Sequence, residues 1–127
     1  MAPTLDPAAI LRHRGPALVL GAVESFDGHA LACTAAETAT RRWPAILEGM
    51  AQTAGLLAGL QPGGPSNRAV IAEYRDVRVH RTAHAGPVRF VAWVERRVLR
   101  FWRCRVDARA ADGSLLVEGT VTVAPGE

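Results

Sequence analysis

The longest apolar stretch of the chain covers residues 44–60, Pro-Ala-Ile-Leu-Glu-Gly-Met-Ala-Gln-Thr-Ala-Gly-Leu-Leu-Ala-Gly-Leu, and Glu48 is its only charged residue. The pattern predicts an α-helix that would extend ~26 Å at 1.5 Å per residue. Gly49, Ala51, Ala54, Gly55 and Ala58 let a sheet come close to its backbone, and its near-total apolarity predicts a helix surrounded by protein. Elsewhere the chain reads as strands. Residues 17–26 and 29–37 are β-compatible runs flanking Asp27-Gly28, a two-residue hairpin signal. After the Pro-Gly-Gly-Pro turn within 61–67 come β-compatible segments at 69–80, 87–98 and 100–110, and a last one at 114–124 following Asp112-Gly113. In 100–110, Trp102, Cys104, Val106, Ala108 and Ala110 alternate with Phe101, Arg103, Arg105, Asp107 and Arg109, the period of a strand with one dry and one wet face. Asp6-Pro7 opens a short helix through about Arg12, stopped by Arg14-Gly15-Pro16. A hairpin, a long apolar helix and an antiparallel meander predict one α+β domain over residues 1–127, with a single curved sheet wrapping the helix.

Composition narrows the function classes. A hydrophobic fraction of 49% fits a globular domain large enough to bury a core without disulfides or metals. Cys33 and Cys104 are far apart with no CxxC, so two reduced, buried thiols are expected and no metal site. All fifteen basic residues are arginine and the net charge is only +3, which suits an acidic protein partner at least as well as nucleic acid. Arg96, Arg97, Arg100, Arg103, Arg105 and Arg109 are diluted by Glu95 and Asp107, and Trp102 falls on the dry face, so no nucleic-acid partner is expected. The first residues show neither a basic n-region nor an apolar h-region, and the helix is short for a membrane span, so a soluble cytoplasmic protein is expected.

A single carboxylate in apolar surroundings costs several kcal/mol to desolvate unless it is paired, hydrogen-bonded or neutralised, so Glu48 is the leading candidate for chemistry. Burial would raise its pKa toward neutrality, which suits an acid or a base. Gln52, four residues on, shares its helix face. The competing expectation is a structural carboxylate paired with Arg41 or Arg42, and for Gln52 an amide that caps a strand edge. At the helix start, Trp43 in the N-cap position has no side-chain oxygen and Pro44 no N–H. The amides of Ala45 and Ile46 are then without a side-chain partner and are candidates to polarise a carbonyl.

These residues resemble a known family. Leu47-Glu48-Gly49-Met50-Ala51-Gln52 is similar to the central-helix motif Glu-x-Met-Ala-Gln of the hot-dog fold 3-hydroxyacyl-(acyl carrier protein) dehydratases. Residues 10–20, Ile-Leu-Arg-His-Arg-Gly-Pro-Ala-Leu-Val-Leu, resemble that family's Leu-Pro-His-Arg-x-Pro-hydrophobic segment, and residues 77–81, Gly86, residues 100–105 and Asp112-Gly113 follow its later strands and turns. The resemblance implies a hot-dog fold, a homodimer with its acyl tunnel between subunits, and elimination of water from a 3-hydroxyacyl thioester on acyl carrier protein or coenzyme A, with no cofactor. Glu48 would be the acid, and Gln52, Trp43, Ala45, Ile46 and Gly49 would line the substrate site. The family's base is a histidine in Gly-His-Phe-Pro-Gly before the helix. This chain has no histidine between Thr34 and Pro44, and His13 is the substitute candidate. Hydrolysis of an acyl thioester by one helix carboxylate, or a catalytically silent acyl-binding subunit, are the alternatives.

Overall fold

A computed structural model describes residues 19–35, 40–65 and 69–126. The elements are β1 (Leu20–Phe26), β2 (Ala30–Ala35), β3 (Arg41–Arg42), α1 (Trp43–Gly59), β4 (Ala69–Val79), β5 (Ala83–His84), β6 (Val88–Val98), β7 (Phe101–Ala110) and β8 (Leu115–Pro125). Six strands form one antiparallel sheet in the order β1-β2-β6-β7-β8-β4, and β3 pairs with β5 in a separate two-stranded ribbon. The curved sheet wraps α1, the one helix among the described residues, in the α+β hot-dog arrangement expected. The helix expected near residues 6–12 lies outside the described residues, as does His13.

The alternation in β7 sorts its side chains as expected. Trp102, Cys104, Val106, Ala108 and Ala110 are buried with the helix residues Ile46, Met50, Ala54 and Leu57. On the outer face the arginines meet acids: Arg105 bonds Glu118, Arg109 bonds Asp107 at 2.9 Å, and Arg89 bonds Glu24 at 2.6 Å. Arg105 and Arg109 of the arginine row are thus compensated within the sheet. Burial pushes the Cys33 and Cys104 thiols up to about 12, as the reading of two inert buried thiols requires.

The turns differ in detail from expectation. Asp27-Gly28 belongs to a three-residue connection, closed by Asp27 Oδ1 accepting the N–H groups of His29 and Ala30 at 2.9 and 2.8 Å. A side chain that satisfies two backbone donors stabilises the longer loop. The β3–β5 ribbon has no sequence signal, because two-residue strands are too short to show a period.

Candidate active site

The helix starts where the ribbon ends. Arg42, in extended conformation, is the N-cap, with no side-chain hydrogen bond to the first turn. Sequence reading placed Trp43 in that position; the structure moves the cap one residue back, because the Trp43 N–H donates to the Thr82 carbonyl at 2.8 Å beside the β3–β5 pairing. The regular i→i−4 ladder then assigns the Ile46 N–H to the Arg42 carbonyl, so of the two amides expected to await a carbonyl only that of Ala45 precedes the ladder. Ile46 is a core residue, and Trp43 is exposed at the helix start.

Glu48 is half-buried, at the border of the helix and not in its sealed core. Its Oε1 accepts a hydrogen bond from Gln52 Nε2 at 3.3 Å, the i, i+4 relation expected. Gln52 is 1% exposed, and its Oε1 accepts from the Val19 N–H at 2.8 Å and the Leu20 N–H at 3.4 Å. The strand-capping role expected as an alternative for this amide is thus present together with the Glu48 contact. One side chain fixes the start of β1 and orients the carboxylate, since carbonyl and NH2 are used separately.

Gly49 is a packing position. A Cβ at this position would lie 2.3 Å from Phe90 Cζ, so the absent side chain makes room for the Phe90 ring between helix and β6. The helix needs a glycine there for packing, while Glu48 lies on the neighbouring face.

Sequence reading missed Tyr74, the chain's only tyrosine. It pairs across the ladder with Val121, which in turn pairs with Cys104, and both are fully buried on the helix side of the sheet. Strict alternation along β4 would put Ile71 and Tyr74 on opposite faces. A register shift between Ile71 and Glu73 places both opposite core valines, Val123 and Val121. The phenol is raised above its ordinary pKa, first by burial and second by the negative charge of Glu48. The available sequence signal was an aromatic among the charges of Glu-Tyr-Arg-Asp, which reads as a surface residue until the bulge is known.

Among the described histidines, His29 sits in the β1–β2 turn and His80 bonds Glu118 at 2.6 Å. His84, in β5, pairs with Arg41 in the ribbon that leads into the helix. No group of three or more potential metal-ligating side chains occurs among the described residues. No helix there is long and apolar enough to cross a membrane.

The chain matches no family model. It also matches no curated protein sequence. Solved structures share its fold. The dehydratase heterocomplex ApeI:P from Xenorhabdus doucetiae superposes with a TM-score of 0.80 at 15% identity, covering 97% of this chain and 92% of that one. A thioesterase from Haemophilus influenzae gives a TM-score of 0.69 at 13% identity over 84% of this chain and 78% of its own. A mutant thioesterase from Pseudomonas aeruginosa gives 0.67 at 16% identity over 81% and 78%. At these identities the likeness is one of fold, and the fold is the hot-dog arrangement of one helix on a curved antiparallel sheet.

Proposed function

We propose that the protein acts on an acyl thioester at Glu48, eliminating water from a 3-hydroxyacyl group carried by acyl carrier protein or coenzyme A. The observation that carries this reading is the pair Glu48–Gln52: a half-buried carboxylate on an otherwise apolar helix, oriented by an amide that is itself clamped to β1. In elimination, the carboxylic acid protonates the departing β-hydroxyl while a base removes the α-proton. His84 is the described histidine whose strand pairs at the helix start, which supports it as a base; His13 is the other candidate. The Ala45 amide and the helix dipole favour negative charge on the thioester oxygen. The family's central-helix motif and the shared fold of a dehydratase heterocomplex support elimination.

Hydrolysis is the second reading, favoured by the charge interaction between Glu48 and Tyr74. A carboxylate beside a protonated phenol can activate water without a histidine. The fold shared with two thioesterases agrees with it.

The protein is proposed to work as a homodimer. The helix itself needs no second copy to cover it, since residues 49–58 are buried within the single chain. Strand β4 supplies the ground. It is an eleven-residue edge strand that exposes Val70, Tyr74 and Val79, a ready template for pairing with a second copy.

One set of measurements tests this. The protein should elute at twice its 13.5 kDa mass, and that peak should interconvert 3-hydroxyacyl and enoyl thioesters, read as enoyl absorbance. Glu48→Gln should abolish turnover with the fold intact. Release of free thiol in place of enoyl product would assign hydrolysis, and the protein's own thiols, buried with pKa about 12, would not interfere. Neither activity, with a rise in Tm on adding a non-hydrolysable acyl analogue, would mark a silent acyl-binding subunit.

A further inference from the structure

Three features of β4 single out Tyr74. The bulge between Ile71 and Glu73 turns Tyr74 to the helix side, opposite the core residue Val121. Bulges next to reactive sites commonly serve to re-aim a side chain in this way. Tyr74 nevertheless stays 40% exposed, so its phenol lies at the margin where a ligand can reach it. The negative charge of Glu48 is felt at the phenol, in keeping with that helix-side placement.

We propose that Tyr74 is a catalytic residue of the Glu48 site, its phenol O–H donating a hydrogen bond to the thioester carbonyl oxygen. The inference rests on the reading of Glu48 as a thioester-handling group. It deepens that reading by naming a donor it did not contain. In elimination, removal of the α-proton shifts negative charge onto the carbonyl oxygen as an enolate; in hydrolysis, attack of water does the same as a tetrahedral oxyanion. A protonated phenol stabilises either, so the role is common to both reactions. Burial and the charge of Glu48 both keep the phenol protonated, the state a donor requires.

Turnover of 3-hydroxyacyl-coenzyme A and acyl-coenzyme A by wild type, Glu48→Gln and Tyr74→Phe tests the proposal. Tyr74→Phe keeps the ring and removes only the hydroxyl. It should lower kcat about 100-fold, the usual loss for one oxyanion donor, with KM changed by less than about threefold and Tm preserved. If Glu48→Gln is inactive while Tyr74→Phe turns over within about twofold of wild type, the Tyr74 role is overturned and the Glu48 reading stands. If wild type converts neither substrate, both fall together. A second measurement is independent of turnover. Because the chain has a single tyrosine, tyrosinate absorbance titrates Tyr74 alone, and Glu48→Gln should lower its midpoint. A midpoint that does not move overturns the placement of the phenol beside the carboxylate.

Discussion

Single residues show how differently the parts of one motif are employed. Glu48, Gly49 and Gln52 stand within five positions, yet Gly49 serves the Phe90 ring, Gln52 holds β1 and Glu48 accepts from the Gln52 amide. Adding one methyl group at Gly49 separates packing from chemistry. Alanine is favoured over glycine in a helix by ~1 kcal/mol, but its Cβ would overlap a fully buried ring, and overpacking costs about 1–3 kcal/mol. Gly49→Ala is therefore expected to lower the urea midpoint, with partial recovery when Phe90→Leu is added. An unchanged midpoint in Gly49→Ala would show that β6 can withdraw from the helix without loss.

At the scale of elements, turns and bulges decide what the strands present. The β6–β7 hairpin turns through Leu99 and Arg100, and Leu99 is 85% exposed with φ +54°. A left-handed conformation costs a non-glycine residue ~1–2 kcal/mol, and the exposed side chain recovers little of it through packing. Glycine at the first central position of such a turn removes that strain and adds ~0.4–1 kcal/mol of unfolded-chain entropy. Leu99→Gly should thus raise stability by about 0.5–1 kcal/mol, seen as a higher denaturant midpoint with an unchanged slope. The long strands and the helix were legible in the sequence to within a few residues, because each carries many periods of its pattern. The β3–β5 ribbon and the bulge of β4 were not. Both depend on which backbone groups meet across space, and the bulge is what turns Tyr74 to the helix side of the sheet.

For the whole molecule, the outer face of the sheet binds its strands together by charge. His80 at the end of β4, Glu118 of β8, and Arg105, Asp107 and Arg109 of β7 form one chain of contacts. The hydrogen bond from His80, aided by the charge of Arg105, holds the Glu118 carboxyl below its ordinary value. A carboxylate lowered on folding stabilises the native state above its unfolded pKa, and that stabilisation is lost as pH falls through the folded value. Wild type should therefore exceed Glu118→Gln in stability at pH 7, and the difference should vanish in acid below the carboxylate range. Urea denaturation of both at several pH values reads this directly; a difference independent of pH would mean that shape, not charge, is what Glu118 contributes.

The sequence by itself determined the fold class, the apolar helix with its lone carboxylate, the dry and wet faces of β7 and the i, i+4 partnership of Glu48 and Gln52, because those follow from local periodicity and residue type. Only the tertiary structure decided that Arg42 caps the helix, that Gly49 belongs to packing, that Gln52 reaches β1 and that Tyr74 faces the helix. These are matters of register and of contacts between residues tens of positions apart, and a pattern along the chain carries no distance across it.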